Sequence, residues 1–124
     1  ILLVTGPLTE PESLALYNYT LAHDFKLILS YHTQGEIIYW RYLNFEPVSA
    51  EELGKEFARI STYTLDDEKE TNSYAGYRDW YISKYNRPGY TFETGMGQNP
   101  LPISQFEKIY KDNVGVLVTA AVKI

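Results

Sequence analysis

Two short stretches hold the residues whose chemistry and spacing set them apart. In Ser30-Tyr31-His32-Thr33-Gln34-Gly35-Glu36 a histidine stands where an apolar run (Phe25, Leu27, Ile28, Leu29) gives way to a glycine turn. In Tyr90-Thr91-Phe92-Glu93-Thr94-Gly95 a short β-type run ends on a carboxylate and passes into glycine-rich chain. Open α/β sheets bind ligands outside the carboxyl ends of their strands. An imidazole at one strand end and a carboxylate at another suggest a metal-assisted hydrolase. Neutral imidazole binds zinc, and a carboxylate takes a proton from water. At the end of an apolar strand desolvation raises a carboxylate's pKa, which suits a base for water.

Each group also has a plainer use. His32 can be a satisfied strand-end histidine, and Glu93 can anchor the Gly95–Gly97 loop through backbone N–H groups. Glu36 reads either as an acid that contacts a ligand beside the histidine or as a solvent-facing strand residue. Tyr74 lies in Asn72-Ser73-Tyr74-Ala75-Gly76-Tyr77, a small-residue loop from which a phenol could close over a ligand. Arg78 and Asp79 are expected to pair with neighbours on a helix. His23, near a helix C-terminus, reads as structural. A catalytic zinc centre takes about three protein ligands, so one good histidine does not complete it. A two-carboxylate glycosidase built on Glu36 and Glu93 would need a set separation that nothing in the sequence fixes.

The elements that must position these groups alternate in type. Pro11, early in a first turn capped by Thr9, starts a helix that runs to about Asp24. Phe25 to Tyr31 is expected as a strand, buried on both faces because Leu27 to Leu29 carry no polar alternation. Thr33 to Gly35 turns into a second strand, Ile37 to Trp40. Ser49 with Glu52 forms a capping-box pattern ahead of a helix whose Leu53, Phe57 and Ile60 repeat at helical spacing. Asp66-Asp67-Glu68-Lys69-Glu70 reads as a solvated loop. Tyr77 to Ile82 begins a short helix that stops by Asn86-Arg87-Pro88-Gly89. Tyr90 to Glu93 is a third strand, Gly95 to Pro100 a loop, and Ser104 to about Ile124 a closing helix. This is an α/β layout, a mixed sheet flanked by helices, with few strands for its helices. Its open edge predicts self-association through the sheet or strands supplied from before residue 1.

Composition narrows the classes. The 124 residues fit one domain, and 44% hydrophobic with 22% charged is globular composition. A net charge of −5 without a basic stripe argues against a nucleic-acid partner. With no cysteine there is neither a disulfide framework nor a thiolate metal site. A reducing compartment is allowed but not demanded. No apolar run approaches the roughly 20 residues of a membrane span. The opening Ile1-Leu2-Leu3-Val4 reads as a strand entered mid-domain. Twelve tyrosines and two tryptophans are expected mainly in packing, with a non-catalytic peptide- or glycan-binding surface as the alternative.

Taken together and in order, the motifs resemble the zinc carboxypeptidase family. These are Leu8-Thr9-Glu10-Pro11-Glu12, His32 in Ser-Tyr-His-Thr-Gln-Gly-Glu, Tyr74 in Ser-Tyr-Ala-Gly-Tyr-Arg-Asp-Trp, Glu93 in Thr-Phe-Glu-Thr-Gly, and Leu101-Pro102-Ile103-Ser104-Gln105. The His-x-Gln-Gly-Glu combination with a following Tyr-Trp resembles the bacterial γ-D-glutamyl-L-diamino acid endopeptidases, which cleave peptidoglycan stem peptides. The resemblance implies that His32 is the third zinc ligand, Glu93 the glutamate that activates the attacking water, and Tyr74 the mobile tyrosine over the substrate. Glu36 would then help recognise the amino group of a diamino acid. The family's first two zinc ligands, on a His-x-x-Glu stretch, and its substrate-carboxylate arginine precede the part that this chain resembles. The chain is therefore expected to be the C-terminal half of a zinc peptidase domain, with one zinc per complete domain and little zinc affinity alone.

Overall fold

The computed structural model describes residues 6–67 and 76–124. Four helices and a four-stranded mixed sheet alternate along it in three layers. Helix α1 spans Pro11–Leu21, strand β1 Ile28–His32 and strand β2 Ile37–Tyr39. Helix α2 spans Ala50–Ser61, strand β3 Thr64–Leu65 and helix α3 Tyr77–Tyr85. Strand β4 spans Gly89–Glu93, and one 3-10 turn at Ile103–Gln105 leads into helix α4, Phe106–Lys123. The sheet order is β1-β4-β2-β3. β4 runs parallel to β1 and antiparallel to β2, while β2 and β3 are parallel.

Strand alternation assigns the two faces of β4. Tyr90 and Phe92 point to the α2 side: both rings lie against Phe57, at centroid distances of 5.1 and 6.1 Å, and Tyr90 Oη donates to the Ala50 carbonyl at 2.6 Å. Burying a ring such as Phe57 contributes about 1.5–3 kcal/mol. Helix α4 closes this layer through Val116 and through Asn113, whose amide donates to Tyr63 Oη at 3.0 Å. The opposite face carries α3, because a Cβ on Gly89 would meet Ile82 and Arg78 at 3.3 and 3.5 Å. Helix α1 joins that side through Tyr17 on Trp80 and through a 2.8 Å hydrogen bond between Thr20 and Tyr77. Most tyrosines are packed, and Tyr63, Tyr81 and Tyr90 are buried.

The expected element order holds, with differences at the ends. β1 starts at Ile28 and runs through His32, three residues later than the Phe25 start. Arg87 and Tyr81 engage the Phe25 carbonyl instead, at 2.6 and 2.7 Å. Leu27 and Leu29 are half-buried, not enclosed on both faces, because among the described residues β1 pairs only with β4. Glu10, not Thr9, caps α1, and the Thr9 hydroxyl donates back to Gly6. The capping box does not form: Ser49 takes a left-handed conformation and its side chain caps nothing. β3 was not foreseen. It adds two residues beside β2, and the Asp66 N–H extends the pairing to the Ile38 carbonyl at 2.9 Å. The rest of the expected acidic loop, 68–70, lies outside the described residues.

Candidate active site

Position along the strands brings the two chemical groups together. His32 ends β1, Glu93 ends β4, and the two are partners in the register of the parallel pair. Ile37, the first residue of β2, pairs with Glu93 from its other side. Registered residues of neighbouring strands share a face, so His32 and Glu93 project together from the α3 side of the sheet. One layer further down that face lies the row Ser30, Thr91 and Tyr39. His32 is exposed and Glu93 half-buried, so a ligand reaches the imidazole from solvent while the carboxylate sits against the sheet.

The loops leaving both strands are stitched to each other. The His32 carbonyl accepts the Thr94 N–H at 2.8 Å and the Thr94 hydroxyl at 3.0 Å. Gly35 N–H donates to the Gly95 carbonyl at 2.7 Å. The Asn99 side chain brackets Thr33, accepting from its hydroxyl at 2.8 Å and donating to its carbonyl at 3.1 Å. On the far side Gln105 bonds both backbone groups of Met96, at 3.1 and 2.7 Å. Gly95 has φ +72, and a Cβ there would lie 2.6 Å from Leu101, so glycine is required where the chain leaves Glu93.

Glu36 has a partner that the sequence did not disclose. Lys108 of α4 donates to its carboxylate at 2.7 Å and to Asp112 at 2.6 Å. Hydrogen bonds to Asp112 and Glu36 hold the Lys108 ammonium above its usual range. A substrate amino group at Glu36 would have to share that carboxylate with Lys108. Arg78 and Asp79 pair as expected, Nε and Nη2 reaching Oδ1 at 2.9 and 2.6 Å. The sequence did not show their burial, with side chains only 10% and 2% exposed, or that the guanidinium stands 5.9 Å from the Tyr39 ring on the face of His32 and Glu93. His23 stacks on Phe25 and bonds the Tyr19 carbonyl, ahead of the start of β1, whereas His32 ends that strand. Tyr74 lies outside the described residues.

Zinc suits this donor set in part. An exposed imidazole with a carboxylate on the adjoining strand end is the pairing that a hydrolytic zinc site uses. No cluster of three or more metal-binding side chains occurs among the described residues. The described residues by themselves do not complete a three-ligand centre.

Known proteins place the chain. No family model matches it. It is 45% identical over 113 residues to "Gamma-D-glutamyl-L-diamino acid endopeptidase 1" of Lysinibacillus sphaericus, a match that covers 91% of this chain and 28% of that protein. It is 46% identical over 112 residues to the uncharacterized protein YqgT of Bacillus subtilis (strain 168), covering 90% and 30%. Thrombin-activatable fibrinolysis inhibitor superposes on 97% of this chain and 35% of its own, with a TM-score of 0.71 and 18% identity. Its bovine counterpart, solved with a tick carboxypeptidase inhibitor, gives a TM-score of 0.69 at 22% identity, covering 97% and 47%. The chain has the carboxypeptidase fold. It has the fold of a portion of those domains, and its sequence stands with the γ-D-glutamyl-L-diamino acid endopeptidase. It spans 28% and 30% of the length of the two curated relatives.

Proposed function

We propose that the complete protein is a zinc-dependent peptidase that hydrolyses an amide bond in peptidoglycan stem peptides. In this reading the chain is the C-terminal half of the catalytic domain, and a His-x-x-Glu stretch upstream supplies two more zinc ligands. The observation that carries the proposal is the in-register pairing of His32 with Glu93 at the carboxyl ends of neighbouring parallel strands. Similarity to a protein named for γ-D-glutamyl-L-diamino acid cleavage supports the substrate class.

His32 contributes the third metal ligand. Zinc, when bound, lowers the pKa of water and polarises the scissile carbonyl. Glu93 accepts the proton of the attacking water and returns it to the departing amine, the two halves of general acid–base catalysis. Tyr74 closes over the substrate. Glu36, ion-paired to Lys108 of α4, takes part in recognition only by exchanging Lys108 for a substrate amine.

In the complete protein Glu93→Gln keeps the shape of the side chain and removes the base. kcat should fall at least about a hundredfold with zinc retained, whereas His32→Ala should lose the metal. Near-normal turnover of a γ-D-glutamyl diamino-acid peptide by Glu93→Gln would refute the mechanism.

A further inference from the structure

We infer that Thr94 is a positioning residue whose hydroxyl and backbone N–H together lock the carbonyl of His32 to the strand that carries Glu93. The inference rests on the roles proposed for those two residues. Thr94 follows Glu93 directly and is 4% exposed. Its N–H donates to the His32 carbonyl at 2.8 Å and its Oγ1 to the same oxygen at 3.0 Å. A carbonyl oxygen offers two lone pairs, and here one residue engages both. The N–H bond only continues the parallel ladder, and any residue but proline would make it. The hydroxyl bond needs Ser or Thr. It fixes the plane of the peptide that leaves His32 from the residue beside the base, so one contact sets the spacing of the two backbones that carry the imidazole and the carboxylate.

Neighbouring bonds carry the frame outward. Gly35 to Gly95, Thr33 to Asn99 and Gln105 to Met96 tie the two loops to each other and to α4. Thr94 differs from Thr33, Asn99 and Gln105 in its burial, its place next to the base and its direct hold on the metal-side residue. Contacts that orient a metal-binding side chain are worth about 10–100-fold in metal affinity or activity. A misplacement of about 1 Å at a reacting centre can cost about a hundredfold in rate. A hydroxyl with a purely structural part would change stability and leave both quantities alone.

The experiment uses the complete protein and four variants: Thr94→Val, Thr94→Ser, His32→Ala and Glu93→Gln. Zinc affinity is read by competition with a chromophoric chelator, kcat and KM with a γ-D-glutamyl diamino-acid peptide, and folding by the unfolding midpoint of the metal-free protein. Thr94→Val is expected to weaken zinc binding and lower kcat by about tenfold each, with KM changed less than about twofold. Its metal-free midpoint should stay close to that of the parent, and Thr94→Ser should recover most of both losses. Parent-like zinc affinity and kcat in Thr94→Val would overturn the inference, as would Thr94→Ser being as impaired as Thr94→Val. Should the valine variant fail to fold, Thr94→Ala against Thr94→Ser makes the same comparison of the hydroxyl, with the same two outcomes. Full activity in His32→Ala and Glu93→Gln would instead sink the functional reading beneath it.

Discussion

Tyr31, the residue before His32, stacks on Phe92 at 5.0 Å and is 39% exposed. Burial pushes its hydroxyl up to about 12, with the nearby Tyr63 adding to the effect. Burial also raises Tyr63, Tyr81 and Tyr90. A tyrosine in the unfolded chain titrates near 10. The folded state therefore holds these protons more tightly, and their contribution is complete below about pH 10. It is lost as pH climbs from about 10 towards 12. Urea unfolding between pH 8 and 11.5 should show stability falling over the upper part of that range, with a shallower fall in Tyr31→Phe. An identical alkaline slope in the two proteins would show that Tyr31 titrates as it does in the unfolded chain. At this scale the sequence was informative about residue type at strand ends. His32 and Glu93 stood where apolar runs stop, and the structure pairs them. Contacts across long separations were not legible: Lys108 is 72 positions from Glu36, and the Thr94 hydroxyl meets a carbonyl 62 positions away.

Among the elements, those with a strong period or a Pro or Gly boundary were legible. α2 follows Leu53, Phe57 and Ile60, and α3 ends at Tyr85 with Asn86 as its C-cap, just ahead of Pro88-Gly89. β3 escaped because a two-residue strand carries no period of its own and exists only through its pairing with β2. The cap at Ser49 failed because the residue sits at φ 63, where its side chain does not reach the helix N–H groups. β1 read as doubly buried because an apolar run does not disclose how many neighbours it will have. Its outer edge has no partner strand among the described residues. Unpaired strand edges template pairing with other chains. The 124-residue chain alone should therefore self-associate, and light scattering at increasing concentration should show oligomers. A concentration-independent monomer would mean that the β1 edge is protected by its own chain.

Over the whole molecule, the exposed apolar surface points the same way. Leu14, Leu16, Tyr19 and Leu21 on α1 and Phe106, Tyr110, Leu117, Val118 and Val122 on α4 face solvent. Where such side chains form a patch, it is commonly an interface. No helix among the described residues is long and apolar enough to cross a membrane. The α/β class and the flanking helices were readable from alternation of element types alone, whereas the strand order β1-β4-β2-β3 was not, because β4 inserts between two strands that are consecutive in sequence. That insertion brings Glu93 next to His32 and makes the site. In the proposed reading His32 is one of three zinc ligands and Glu93 the base beside it. That reading is tested most directly by crystals of the complete protein grown with zinc and measured on both sides of the zinc absorption edge. The account predicts an anomalous peak about 2.0–2.1 Å from a ring nitrogen of His32, with the Glu93 carboxylate facing the remaining open position. A zinc peak elsewhere, with His32 uncoordinated, would contradict it.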